Sequence, residues 1–197
     1  MDEAALIAQA QRGDVPAYNR LVLHYQELAY NVAHRIMGEP QSAEDVTQES
    51  FVAAYQALNR FRGGSFKSWL LRIVTNRCYD ELRRHKRRPQ SSLDELTEDN
   101  ESFAFLRSPD AGPEAQRQQV ELAQAIEQCL QALPDEQRIA AVLCDVEGYD
   151  YNEIAGILSV SLGTVKSRIS RARGKLRDCL QQFQELLPRA YRLTGET

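Results

Sequence analysis

Residues that usually carry chemistry are scarce in this 197-residue chain, which has one Trp, two Met, three His and four Cys. His24, His34 and His85 stand apart from one another, and none belongs to a nucleophile or metal motif, so no catalytic residue, metal or cofactor is expected. Cys78, Cys129, Cys144 and Cys179 lack metal-ligand or redox spacing, which predicts four reduced thiols on helices rather than disulfides or zinc. No apolar run approaches the ~20 residues that span a bilayer. The opening "MDEAALIAQAQ" is acidic and has no long apolar stretch, unlike a signal peptide. A cytoplasmic protein with no membrane insertion is the expectation. Strand-like alternation and internal repeats are absent too, which leaves an all-α fold.

Charge of both signs is present, but it is segregated. The formal net charge is −4, yet residues 60–88 carry ten cations against two carboxylates, and residues 162–177 carry six cations against none. Residues 114–161 hold nine carboxylates against two cations. Two basic islands in an acidic chain imply an anionic polymer contacted at two places, because phosphate neutralisation depends on local charge whatever the global sign.

The second island reads as a helix. Within "SLGTVKSRISRARGKL", residues 161–176, a step of about 100° per residue puts Val165, Ile169, Ala172 and Leu176 on one core-facing side. Gly163, Ser167, Ser170 and Gly174 lie opposite. Lys166, Arg173 and Arg177 flank them on one side, and Arg168, Arg171 and Lys175 on the other. Two glycines inside a helix are unfavourable by roughly 1 kcal/mol each relative to alanine, which points to close backbone approach by a partner. Upstream, "DYNEIAGIL" has Asp150 as N-cap with Glu153 in the capping-box position, and Ser161 is placed to cap the basic helix. Helix, short turn, helix is the layout of a helix-turn-helix DNA reader, with the second helix in the major groove. Thr164, Lys166, Ser167, Arg168, Ser170, Arg171, Arg173 and Lys175 are the candidate duplex contacts. Lys166, Ser167, Ser170 and Arg171 face base edges, and the cationic rails face phosphates.

The N-terminal half reads as helices. Residues 14–37 place Tyr18, Leu21, Val22, Tyr25, Leu28, Ala29, Val32 and Ile36 at steps of three and four, and Gly38 and Pro40 end the segment. Ser42 is placed to cap the next helix, with Asp45 in the capping-box position and Val46, Phe51, Ala54, Tyr55 and Leu58 on its apolar side. Its remaining stripe holds Asp45, Gln48, Glu49, Val52 and Gln56. By residue pattern alone, that stripe is a solvated face. The first island follows: a Gly-Gly loop, then a helix whose buried stripe draws on Trp69, Leu70 or Ile73, Val74, Cys78 and Leu82, with Arg72, Asn76, Tyr79 and Arg83 on the other side. Phe61, Arg62 and Phe66 mix aromatics with a cation around a flexible loop, which suits stacking on unpaired bases. Residues 89–113, with three prolines and no sustained period, read as a flexible acidic linker. Helices resume at Glu114, and "LPDEQR" interrupts them before the helix-turn-helix. The expected organisation is residues 1–88, a linker 89–113, and residues 114–187.

The order of these features resembles the bacterial extracytoplasmic-function sigma factors. The likeness covers nearly the whole chain and rests on "AEDVTQESFVAAY", "FRGGSFKSWLLRIVTNRCYDELRR", "LPDEQR" and "YNEIAGILSVSLGTVKSRISRARGKLR". The resemblance implies a promoter-specificity subunit of RNA polymerase, in which the N-terminal domain acts at the minus-ten element and the C-terminal domain at the minus-thirty-five element. It implies that Asp45, Gln48 and Glu49 dock on the clamp helices of the largest polymerase subunit. It also implies that Phe61, Arg62, Gly63, Gly64, Ser65 and Asn76, joined by Arg83 on the same helix, receive a single-stranded, flipped non-template base. Ala53 stands where relatives often carry a basic residue, which implies weaker contacts at the upstream edge of the bubble. An anti-sigma factor is an implied partner. The other readings are a stand-alone helix-turn-helix regulator binding duplex DNA, and a nucleic-acid-processing enzyme, which lacks any carboxylate cluster or metal site here.

Overall fold

The computed structural model describes residues 2–87 and 113–187, and every regular element among them is helical. The expected linker therefore lies outside the described residues, except Pro113, which opens a helix. Helix α1 (Glu3–Gln11) is capped by Asp2, whose carboxylate accepts from the Ala5 N–H at 3.0 Å. This helix was not among the expected elements. It lays Leu6, Ile7 and Ala10 against α2 (Val15–Met37). Asp14 caps α2 by accepting from the Ala17 N–H at 3.1 Å, and Gly38, at φ +78°, ends it.

Helix α3 spans Pro40–Ala57. It starts before the predicted Ser42 cap: Pro40 takes the first turn, where a missing N–H costs nothing, and the Ser42 hydroxyl instead donates to the Glu39 carboxylate at 2.5 Å. Val46, Phe51 and Ala54 are buried against α2, and the Tyr18 hydroxyl donates to the Phe51 carbonyl at 2.6 Å. Tyr55, expected on the apolar side, is 40% exposed and tilts against Tyr18 instead. Helix α4 (Phe66–Arg87) completes this half, burying Leu70, Leu71, Val74 and Cys78. Thr47, Ser50 and Thr75 are also buried; their hydroxyls donate to carbonyls one turn back at 2.6–2.9 Å, so the core carries these polar groups satisfied.

The C-terminal half comprises α5 (Pro113–Gln131), α6 (Asp135–Ala141), one wide turn over Val142–Val146, α7 (Tyr151–Leu158) and α8 (Leu162–Leu180). Pro134 breaks α5 from α6, as the sequence indicates. Packing of α5 beside α8 brings Cys129 and Cys179 to a Cα separation of 5.8 Å, and they form a disulfide. This corrects the expectation of four reduced thiols: two cysteines 50 residues apart show no motif spacing, and only the tertiary fold makes them neighbours. Cys78 and Cys144 are free, and burial pushes the Cys78 thiol up to about 12, which keeps it inert. Cys179→Ser is expected to destabilise the oxidised protein by about 2–4 kcal/mol. Denaturant titrations with and without reductant check this, since the difference from wild type should vanish once the disulfide is reduced.

The two halves pack together, α4 against α7 and α2 against α5, and their buried side chains form one continuous cluster. Polar contacts cross the seam. Lys86 pairs with Asp135 at 2.5 Å and Arg35 with Glu147 at 3.6 Å. Gln131 Nε2 donates to the Arg35 carbonyl at 3.1 Å, next to Gly38, where a Cβ would stand 2.5 Å from the Gln131 side chain. Burial raises the Glu147 carboxyl above the usual range, while Arg35 and Lys67 hold it partly down.

Candidate nucleic-acid interfaces

Helix α8 is set on its partners by the predicted face, with Val165, Ile169 and Ala172 buried and Leu176 half-buried. Its start is fixed locally. The Ser161 hydroxyl accepts from the Thr164 N–H at 3.1 Å, and Asp150 with Glu153 forms the full capping box on α7. Ser159, at φ 54°, turns the chain between the two helices. The turn is three residues long, which matches the helix-turn-helix layout.

Lys166, Ser170, Arg171 and Lys175 are exposed on α8. Thr164 and Ser167 are half-buried and turned inward: the Thr164 hydroxyl lies 2.8 Å from Ser161 Oγ, and the Ser167 hydroxyl donates to the Thr164 carbonyl at 2.9 Å. The two cationic rails are not equally free. Arg168 pairs with Glu136 at 2.6 Å and leaves only 16% of its side chain exposed, because its side of the helix faces α6 rather than solvent. Arg173 donates from Nε and Nη2 to the Asp145 carboxylate and lies 3.4 Å from the Tyr151 hydroxyl. The Asp145 hydrogen bond raises the Arg173 pKa and keeps the guanidinium charged and aimed. Arg173, Tyr151, Lys166, Ser170, Gly174 and Arg177 line an open groove of about 560 Å³. Sequence reasoning missed Tyr151 and Asp145 here; no local pattern ties either to an arginine more than twenty residues away.

In the N-terminal half, the loop before α4 turns on Gly63 and Gly64, at φ +102° and +89°, conformations that L side chains rarely adopt. Arg62, Gly63, Gly64 and Ser65 are exposed. Ser65 also caps α4, its hydroxyl accepting from the Ser68 N–H at 3.1 Å. Phe61 departs from the expectation of a base-stacking side chain. It is 8% exposed, edge-on to Phe66 at 5.8 Å and tilted on Trp69 at 5.3 Å, because the helix that follows supplies an aromatic pocket for it. Trp69 is half-buried in the same cluster. Arg72, Asn76 and Arg83 form one exposed stripe on α4. Gln11 of α1 donates to the Leu58 and Phe61 carbonyls at 3.0 Å each and anchors the loop from behind. Asp45, Gln48 and Glu49 are exposed on α3 beside Val52, and Glu49 touches Arg77 of α4 at 3.5 Å.

Known families match both halves of the chain. The sigma-70 region 2 family matches residues 21–88, and the sigma-70 region 4 family matches residues 123–176. The RNA polymerase sigma-H factor of Pseudomonas aeruginosa is 39% identical over 180 residues, covering 89% of this chain and 92% of its own. This chain belongs to the extracytoplasmic-function sigma factors of RNA polymerase. The ECF RNA polymerase sigma factor SigE of Mycolicibacterium smegmatis is 37% identical over 177 residues; the match covers 90% of this chain and 66% of that longer relative. Among solved structures, CnrH in complex with the cytosolic domain of CnrY matches with a TM-score of 0.61 and 28% identity, covering 90% of this chain and 96% of that one. The sigma factor is all-α, with two helical domains of which the C-terminal one carries the helix-turn-helix. It is a subunit that directs RNA polymerase to initiate transcription at promoters, and its partners are the core enzyme and promoter DNA. No helix among the described residues is long and apolar enough to cross a membrane.

Proposed function

We propose that the sigma factor divides promoter recognition between two surfaces and performs no chemistry of its own. Residues 1–88 dock on the clamp helices through Asp45, Gln48 and Glu49, and take the melted minus-ten strand at Arg62, Gly63, Gly64, Ser65, Asn76 and Arg83. Residues 114–187 read the minus-thirty-five duplex through α8, and residues 89–113 connect the two. The observation that carries this reading is the contrast between the two basic islands. One is a glycine turn beside an exposed Arg-Asn-Arg stripe, and the other is a capped helix with exposed Lys166, Ser170 and Arg171 over a groove. The first geometry suits an extruded base, the second an intact major groove. It works in the cytoplasm without a cofactor, serves stress-responsive promoters, and is held in check by an anti-sigma factor.

Two arginines of α8 differ in their surroundings, which supports different tasks for them. Arg171 is exposed on α8, whereas Arg173 is aimed by Asp145 along the groove edge. Arg171→Ala should therefore cost about 1–3 kcal/mol in binding the upstream element and relax base preference there. Arg173→Ala should weaken binding evenly across sequences. Transcription over a randomised upstream element, with purified core enzyme, reads both effects. Equal loss of discrimination in the two variants would mean the faces are misassigned. Sequence-specific footprints by the free chain, unchanged on adding core enzyme, would favour a stand-alone regulator.

A further inference from the structure

Cys179 continues the side of α8 that faces the core. Val165, Ile169, Ala172, Leu176 and Cys179 recur at steps of four and three, the spacing of one helical face. Lys166, Ser170 and Arg171 stand exposed off that side. The bonded partner, Cys129 of α5, is 1% exposed beside buried Ala125 and Leu130. The bond closes a loop that holds α6, α7 and α8 up to Cys179. The whole helix-turn-helix therefore lies inside the loop, and the cross-link leaves the DNA-facing side of α8 clear.

The two sulfurs differ in access. Cys179 is half-buried, open enough to meet a small oxidant, whereas Cys129 is sealed in the core within bonding reach of it. The other two cysteines are set against the same chemistry. Burial holds the Cys78 thiol far above its ordinary range, and burial with neighbouring Asp145 raises that of Cys144. Both therefore stay in the less reactive thiol form. In a cytoplasm, where reducing dithiols keep cysteines reduced at rest, a disulfide is a transient, signal-dependent bond.

We propose that Cys129 and Cys179 form a peroxide-sensing thiol pair: oxidation to the disulfide locks the helix-turn-helix and strengthens its hold on the upstream element, and reduction by a cellular dithiol releases it. This rests on the cytoplasmic, duplex-reading assignment made above. The Cys179 thiolate attacks one oxygen of hydrogen peroxide, the O–O bond breaks, and the departing hydroxide takes up the thiol's proton to leave as water, so that the sulfur becomes a sulfenic acid. The Cys129 sulfur then attacks that sulfur. Its proton goes to the second departing hydroxide, and the S–S bond forms. Two thiols and one peroxide give one disulfide and two waters, the sulfurs being oxidised and the peroxide reduced. Locking favours the reader because a cross-link between residues 50 positions apart takes conformational freedom from the loosened chain and not from the packed one. Residues 114–187 gain by it, since a segment of fewer than about 80 residues draws little stability from its own core.

The test oxidises the full chain before core polymerase is present. Reduced sigma factor is treated with hydrogen peroxide, cleared of it with catalase and assembled with core enzyme, while alkylation and mass measurement count its thiols. Peroxide should remove two of the four alkylatable thiols, and the Cys144→Ser chain should still lose two. Backbone amides of α8 should exchange more slowly in the oxidised chain. If the reduced reader is docked about one-third of the time, transcription at limiting sigma factor from a promoter with an intact upstream element should rise about threefold on oxidation. Dithiol treatment should reverse the gain, and Cys129→Ser and Cys179→Ser should each stay at the reduced level with or without peroxide. A disulfide that forms without changing transcription from that promoter overturns the proposal, as does peroxide treatment that leaves Cys129 and Cys179 as thiols. Equal transcription from intact and scrambled upstream elements in both states would instead sink the duplex-reading assignment, and the locking role with it, while the mass measurement still reports the pair oxidised.

Discussion

Reversing two charges on α3, Asp45→Lys with Glu49→Lys, is expected to abolish co-purification with core RNA polymerase while leaving the far-ultraviolet circular dichroism spectrum unchanged. The fold should tolerate the change because both side chains are exposed, whereas the buried face of α3, with Val46, Ser50, Phe51 and Ala54, is untouched. Among the described residues, the intramolecular contact at stake is Glu49 with Arg77, 3.5 Å apart with side chains 53% and 42% exposed. A surface pair of that kind is worth about 0–1 kcal/mol, and its reversal is a penalty of similar size. At an interface the balance differs. Like charges set against each other in a docked patch cost several kcal/mol, and both positions share their stripe with Val52, an exposed apolar residue at 59% that can anchor the patch. Retained co-purification would return the stripe to a solvated face, which is all that its residue pattern alone supports.

What was legible in the sequence was what local physics decides. Asp150, Glu153 and Ser161 announced the helix-turn-helix because caps act within one turn of their own backbone, and the face of Val165, Ile169 and Ala172 is set by helical period. Pairings across the fold were not legible. Arg173 with Asp145, Arg168 with Glu136, and Cys129 with Cys179 join residues 28, 32 and 50 positions apart, and nothing near either partner marks the other. Phe61 shows the same limit in one side chain. Beside Arg60 and Arg62 it looks like a base-stacking aromatic, but Phe66 and Trp69 give it a dry pocket, and burying an aromatic is worth more than leaving it for a ligand. The start of α3 was misplaced because Pro40, fixed near helical φ, outweighed the capping potential of Ser42.

The glycine turn and Asn76 should govern promoter opening and leave upstream binding alone. Asn76→Ala removes an exposed amide from the α4 stripe that Arg72 and Arg83 frame. Losing such a contact to a base costs about 1–3 kcal/mol, or roughly five- to 140-fold in open-complex formation at a tenfold change per 1.4 kcal/mol. Deleting Gly63 should do at least as much, because the chain reverses through two successive positive-φ residues and one fewer cannot bring Arg62 to the same place. Gly64→Ala is the finer probe. No atom lies within 4 Å of its added Cβ, so its effect comes from the strain of φ +89° and not from a clash, at about 1–2 kcal/mol for an L residue held left-handed. Permanganate footprinting of holoenzyme reads all three variants, first on a cognate duplex and then on a template carrying a pre-opened mismatch bubble. A loop that only assists melting would be rescued fully by the bubble. A loop that receives a flipped base would be rescued in part, and the residual defect would depend on which base occupies the non-template strand, since unstacking is then supplied but recognition is not. Normal opening by the Asn76 and Gly63 variants on ordinary duplex would remove the single-strand site from this surface and leave Arg72 and Arg83 as phosphate contacts alone.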